Sequence, residues 1–436
     1  MGAPRNLRER SLASITRRGT MTHAYRLASF SILGLLIACS STDPDTTPGA
    51  GAGSGGTSGA GQTTGGGGVT TTGGASTTTG GTGGAGATTG ATGGVAAGAA
   101  GSGGAGAGGG DTDGAGAGGG GTGGSTPVGD LHITDPVPGF ASVAGGTTGG
   151  GTDLSSAITV DSMSALQDAA KGSTPAIILV KPGNYSGTLA PGANKTIIGI
   201  GPGVTITGNI RMSGAGVNNI IIRNLAVRGA RCASYDECKA GADAVYTGNG
   251  AHHVWLDHLD ISDGQDGNCD ITQGADYVTV SWSRFYYTYD KEHRFSNLIA
   301  GSDDEPASQG KLHITYMNSH WGERVDSRQP RGRYGNVHML NNYHKTGGGQ
   351  IHGVGKDMAL IAENCVYDEN RSIWTDMGSP RGWKGIGNQG TGDDLNDSRG
   401  TVFEIPYRYT PMPASQVVAA VTSKECGAGN TCTLAY

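Results

Sequence analysis

Asn219-Ile220-Ile221-Ile222-Arg223-Asn224-Leu225, Val254-Trp255-Leu256-Asp257-His258 and Tyr277-Val278-Thr279-Val280-Ser281-Trp282 decide the fold. Each is a short run of β-branched, aliphatic or aromatic residues ending in a turn-former or a polar group, the composition of a buried strand. Similar runs stand at 176–180, 196–200, 312–316, 337–340 and 359–361, with Gly, Asn or Asp between them. Their spacing, about 20 to 35 residues, is the period of a solenoid rather than of a hairpin sandwich. Helical patterns between the strands are missing, which argues against an alternating βαβ sheet. The expectation is an all-β, parallel β-helix whose longer gaps become loops on one face. Asn224, Asn341, Asn342 and Asn364 follow or flank strands, where their amides can stack from turn to turn or simply tolerate left-handed backbone.

Two short helical patterns bracket this array and predict caps. Residues 161–170 begin with the capping residues Asp161 and Ser162 and should cover the N-terminal end. Residues 414–421 should pack late, against the side or the end. A solenoid needs such covers because an open strand edge invites association.

Outside this domain the composition changes. The chain has 436 residues and 83 glycines, 37 of them crowded into one Gly/Thr/Ala/Ser stretch at 47–126. That stretch has too little apolar surface to offset the entropy of ordering it. Residues 40–126 therefore read as a disordered linker and residues 127–436 as one large domain. In residues 1–39, Arg17, Arg18 and Arg26 precede an apolar run at 27–38 that is too short to span a bilayer. Leu36-Ile37-Ala38-Cys39 resembles a bacterial lipobox, which makes Cys39 the lipidation site and residues 1–39 a lipoprotein signal peptide; Met21 is a second candidate start. The expected location is secreted or cell-surface, lipid-anchored to the bacterial envelope. Membrane contact is expected through the anchor alone. A net charge of −6 gives no reason to expect a nucleic-acid partner.

Cysteine usage agrees with export. The close pairs Cys232/Cys238 and Cys426/Cys432 suit small disulfide loops in an oxidising compartment, while Cys269 and Cys365 can either bridge or remain buried thiols. No His or Cys cluster has the spacing of a zinc finger.

Two groups of residues carry chemistry. Asp266-Gly267-Asn268-Cys269-Asp270 places two carboxylates four residues apart just before a strand, and Asp243 lies one period earlier. If turns stack in register, three carboxylates meet on one face, an arrangement that suits a hard cation such as Ca2+ and is costly without one. The alternating ligands of an EF-hand are missing. Asp290-Lys291 and the run Arg328-Gln329-Pro330-Arg331-Gly332-Arg333 then supply cations on later turns. Cations beside an acidic cluster suit a polyanionic substrate, Arg acting through its planar fork. An interlocking salt-bridge network is the alternative.

Taken in order, 254–258, 270–281 with Asp290-Lys291, and 328–333 with Val337-His338 and Asn341-Asn342-Tyr343 resemble the pectate lyase/pectin lyase superfamily, polysaccharide lyase family one. The resemblance runs from about Pro138, through Gly139-Phe140-Ala141 and Gly145-Gly146-Thr147-Thr148-Gly149-Gly150, to the closing helix near Val421. It implies a right-handed β-helix. It also implies calcium-dependent β-elimination of (1→4)-α-D-galacturonan, with 4,5-unsaturated oligogalacturonides as products and a monomer as the working form. By position it implies Asp243, Asp266 and Asp270 as calcium ligands and Lys291 and Arg333 as substrate-binding groups. Arg328 would be the base that removes the C5 proton. The family often carries one more acidic residue where this chain has Gly241. Asp257 and His258 invite an acid–base reading, but in the family that cluster lies apart from the cleft; His258, Trp255 and Trp282 read as structural. His252/His253 and His344 show no metal-type partner set.

A pectin lyase acting on methyl-esterified polymer needs no calcium, and the three aspartates argue against it. A polygalacturonase would use paired carboxylates, and the order of Gly301-Ser302-Asp303-Asp304 and Ile351-His352-Gly353 does not fit one. A non-catalytic polysaccharide-binding solenoid predicts losses among Asp270, Lys291, Arg328 and Arg333, yet all four are present. The segment Glu292-His293-Arg294-Phe295-Ser296-Asn297 is longer than the usual connection and either lines the cleft or sits outside it.

Overall fold

The structure is a computed structural model that describes residues 130–436 apart from 346–347 and 369–370. The segments expected as signal peptide, with Cys39, and as linker lie outside the described residues. From Ile158 onward the chain coils into a β-solenoid in which each full turn contributes three short strands, one to each of three faces, while Leu131–His132 pairs apart with Leu434–Ala435. One complete turn is His252–Asp257, Asp260–Ser262 and Cys269–Ile271; the next is Asp276–Ser281, Arg284–Tyr286 and Leu298–Ile299. Pairing between turns is parallel, with Val254 between Ile220 and Val278 and Leu256 between Ile222 and Val280. The long strand Val204–Ser213 joins two faces: its first half pairs with Ala226 and Val227, its second half with Val245 and Tyr246.

The period-2 alternation explains which side chains fill the coil. Ile220, Ile222, Val254, Leu256, Val278, Val280, Ile314 and Tyr316 point inward and are fully buried in one continuous core. Ile221, Trp255 and Thr279 point outward from the first face, where the segment before residue 143 covers them. Phe140 N donates to Thr315 Oγ1 at 3.1 Å and Ala141 N to Thr279 Oγ1 at 3.0 Å. Gly139 has φ +66°, and a Cβ there would lie 2.6 Å from Thr279 Oγ1, so only glycine lets the chain approach.

The turns between the first and second faces are two residues long, and the asparagines divide their labour there. Asn224, Asn341 and Asn364 occupy the first turn position in left-handed backbone (φ 58°, 54° and 49°), as do His258 and Trp282. Asn224 Nδ2 donates to Gly199 O and Asn341 Nδ2 to Asn364 O, bonding turn to turn, but these residues do not form a continuous ladder. The second position does: Leu259 N donates to Ser283 Oγ, Ser283 N to Ser319 Oγ, Ser319 N to Asn342 Oδ1, Asn342 N to Cys365 Sγ, and Cys365 N to Asn388 Oδ1. Each side chain satisfies a buried amide of the previous turn, which is otherwise costly to leave unpaired. Of the four asparagines, Asn342 alone stands in this ladder.

Helix α1 (Met163–Ala170), whose N-cap Ser162 accepts from Ala165 N, closes the N-terminal end with Leu166 and Ala170. A second short helix, α2 (Tyr235–Lys239), lies in the Cys232–Cys238 disulfide loop. Helix α3 (Ala414–Val421) lies against the side of the second face, packing Val417 and Val421 near Tyr343. At the far end the antiparallel strand Ser398–Gly400 covers the edge of Gly382–Ile386. Cys426 pairs with Cys432, while Cys269 and Cys365 are buried free thiols.

Candidate active site and metal centre

The connections from the second face to the third lie on consecutive turns at 229–244, 263–268, 287–297 and 322–330. The strands they lead into stack in register on the third face: Val245 pairs with Cys269, Tyr246 with Asp270, and Leu298 with Arg331. Asp243 and Asp266, each just upstream of its strand, thereby reach Asp270. Carboxylate oxygens of these three residues lie within 4.8 Å of one another. Gly267 makes this convergence possible, since a Cβ there would stand 2.7 Å from Asp270 Oδ1 and 3.0 Å from Asp243 Oδ1.

The cluster is electrostatically unfavourable as it stands. Burial first, then the charges of Asp270 and Asp266, raise the Asp243 carboxyl well above its usual range. Burial and Asp266 raise Asp270 to about 7, although the Leu298 amide and Arg328 favour its charged form. Asp243 Oδ1 is buried with no hydrogen-bond partner among the described residues. Three hard oxygen donors, one of them orphaned, fit a divalent cation of the calcium type. No acidic side chain can complete the set at 241, because a Cβ on Gly241 would lie 2.4 Å from the Gln265 Cβ.

The cationic residues do not play one part. Lys291 Nζ donates to Gly264 O at 2.6 Å and Gln265 O at 2.8 Å, beneath the loop that carries Asp266. Burial lowers its ammonium to about 8, opposed by Asp263 and Asp266. Arg328 sits in left-handed backbone (φ 63°) with its guanidinium carbon 4.2 Å from the Phe295 ring centroid. That guanidinium makes no hydrogen bond or ion pair among the described residues. Arg333 is engaged within the fold: Nε donates to Asp303, and Nη1 faces the Ala300 and Gly301 carbonyls at 3.2 and 3.3 Å. The structure thus groups Asp243, Asp266 and Asp270, sets Lys291 and Arg328 against them, and ties Arg333 to the 300–303 segment.

The individual roles of several contributors escape sequence inspection, although the 292–297 segment was a candidate cleft lining. His293 Nε2 approaches Asp266 Oδ1 to 2.8 Å, without the alignment of a hydrogen bond. The His293 ring lies 4.2 Å from that of Phe295. The 292–297 segment therefore lines the site. Gln329, beside Arg328, accepts from His344 Nδ1 at 2.9 Å, which leaves His344 a buried supporting group. Phe295 had one signal in the sequence, its place in the 292–297 segment, and the fold then sets it one turn after Gly267 and one before Ser327.

Asp257 and His258 stand elsewhere, at the turn between first and second faces. Asp257 is buried and bonded to Arg223 Nε at 2.8 Å, Ser281 Oγ at 2.6 Å and His258 Nδ1 at 2.8 Å. Arg223 lies 4.5 Å over Trp255, and His258 stacks on Trp282. This is a closed structural network, and its neighbour Cys426 is consumed by the disulfide with Cys432.

Comparison with known proteins agrees with this geometry. The family model described as pectate lyase matches residues 131–377. The chain is 31% identical over 287 residues to pectate lyase A of Emericella nidulans, covering 63% of this chain and 81% of that protein. It is also 31% identical over 284 residues to pectate lyase A of Dickeya chrysanthemi, covering 54% and 70%. A solved pectate lyase bound to a hexasaccharide superposes with a TM-score of 0.57 at 20% identity, covering 70% of this chain and 99% of its own, a likeness of fold. With the solenoid, its clustered loops and the family match all in agreement, the chain belongs to the pectate lyase family and is a polysaccharide lyase.

Proposed function

We propose that the enzyme is a calcium-dependent pectate lyase that cleaves (1→4)-α-D-galacturonan by β-elimination, releasing 4,5-unsaturated oligogalacturonides. The observation that carries this reading is the convergence of Asp243, Asp266 and Asp270 within 4.8 Å opposite an arginine with no bonded partner among the described residues. The solved relative bound to a hexasaccharide supports an oligosaccharide as ligand. In this reading Asp243, Asp266 and Asp270 hold Ca2+, which when bound neutralises the uronate carboxylate and acidifies the adjacent C5–H. Lys291 attracts the same carboxylate, its Nζ already fixed by two carbonyls. Arg333, once drawn from Asp303, binds a further uronate through its planar fork. Arg328 takes the C5 proton. The C5 electron pair then forms the C4–C5 double bond, the bond from C4 to the glycosidic oxygen breaks, and the leaving oxygen collects a proton. Only the neutral guanidine can accept the C5 proton, and an arginine is ordinarily held as the guanidinium cation, so the step requires Arg328 to react in its neutral form with a C5–H already made acidic.

The test compares unesterified polygalacturonate with highly methyl-esterified pectin, following the ultraviolet absorbance of the unsaturated uronide. Faster reaction on the unesterified polymer is expected. A clear preference for the esterified one points to a pectin lyase and overturns this reading. We also infer, from residues 1–39, export with a lipid anchor at Cys39, and a monomeric enzyme. Radiolabelled palmitate should enter the protein in its bacterial host and fail to enter Cys39→Ala.

A further inference from the structure

We propose that Phe295 is a positioning residue for Arg328, a role that rests on the assignment of Arg328 as the base. Phe295 is half-buried, and its backbone is fixed between two turns by bridges to Gly267 and Ser327. Just after it, Ser296 N donates to Ser327 O at 3.0 Å and Asn297 N to Arg328 O at 2.8 Å. The ring is therefore a rigid platform, and His293 packs against it at 4.2 Å. The Arg328 guanidinium rests on that platform, 4.2 Å from the ring centroid, and touches no other bonded partner among the described residues. An arginine side chain has much rotamer freedom to lose, and here one aromatic face is what limits it.

The chemistry gives the contact a second use. Arg328 can accept the C5 proton only as the neutral guanidine, so positive charge develops on that side chain as the C5–H bond breaks. An aromatic face attracts a cation and is nearly indifferent to the neutral group. The contact is thus stronger in the transition state than in the ground state, and its loss belongs in kcat rather than KM. No ring or polar contact joins Phe295 to Asp243 or Asp270 among the described residues, so calcium affinity is not expected to follow it.

The experiment compares Phe295→Leu, which keeps an apolar side chain without the ring, with Phe295→Tyr, which keeps the face. Each is assayed for kcat and KM on polygalacturonate, for calcium affinity by calorimetry, and for melting temperature. Phe295→Leu should lower kcat about 3- to 30-fold, equivalent to about 0.7–2 kcal/mol at about 1.36 kcal/mol per decade. KM and calcium affinity should stay within about twofold, and Phe295→Tyr should restore kcat to within about twofold. Unchanged kcat in Phe295→Leu overturns the proposal. So does an equal loss in both variants, or a loss that tracks calcium affinity or melting temperature, since each marks a merely structural ring. Arg328→Lys, run alongside, separates the two readings: if it keeps turnover, the base assignment itself falls.

Discussion

Replacing Asp270 by asparagine should make the calcium-free protein more stable at pH 8 and leave it nearly unchanged at pH 4. A carboxyl raised in the folded state keeps its proton there over a pH range where the unfolded chain has released it. Stability therefore falls as pH rises through that range. For Asp270 the range runs from its ordinary 3.8 to about 7. About three pKa units at about 1.36 kcal/mol each give roughly 4 kcal/mol of destabilisation, fully present above pH 7. Asparagine keeps an oxygen for the Leu298 amide and removes the charge. With about 1.5 °C per kcal/mol for a domain of roughly 300 residues, the melting temperature in chelator should rise by about 6 °C at pH 8. Buried histidines act in the opposite direction: burial lowers His320 to about 4 and His352 to about 3. Their contribution rises with pH as the unfolded chain loses its protons, so wild type alone gives a mixed profile. The difference between the two proteins cancels that contribution. The assay is calorimetric melting of both in chelator at pH 4, 5, 6, 7 and 8, repeated with excess calcium. Calcium should raise wild type far more than Asp270→Asn. A difference in chelator that is flat with pH, or a variant that melts below wild type at pH 8, would refute the like-charge cluster.

Arg328→Lys should abolish turnover with the melting temperature within about 2 °C of wild type, because its guanidinium supports no bonded contact among the described residues. Asp257→Ala should cost about 1.5–3 kcal/mol by removing the buried acceptor of Arg223 Nε, which keeps Asp135 at 2.8 Å as its remaining carboxylate, measured by denaturant unfolding, with kcat of the folded fraction unchanged. A drop in kcat there would bring Asp257 and His258 back into the chemistry. Cys269 and Cys365 should resist thiol reagents until the domain unfolds, since burial raises Cys269 well above the usual thiol range and Cys365 to about 12. Rapid labelling of the native protein would contradict their burial.

The strand runs, the solenoid period and the acidic–basic pairing could be read from the sequence because each is a local pattern. Features that depend on register could not. Ser283, Ser319 and Cys365 look like ordinary small residues until stacked turns make each one the acceptor for the previous amide. Asn224, Asn341 and Asn364 look like ladder residues, yet the left-handed first turn position claims them. The aspartates were legible by spacing, but the need for Gly267 between them shows only when two turns close on it. Phe295 carries no motif, and its place under Arg328 comes from one bridge to each neighbouring turn. Arg333 was legible as a cation, whereas its bond to Asp303 depends on how the 300–312 connection folds back.

The central claim is elimination that depends on the three aspartates and calcium, and one assay addresses it directly. Unsaturated uronide formation on polygalacturonate is followed by ultraviolet absorbance in excess chelator, then after calcium is restored, for wild type and Asp270→Asn. The account predicts no rise for wild type in chelator, full recovery with calcium, and recovery in Asp270→Asn only at higher calcium. Undiminished elimination by wild type in chelator would contradict it.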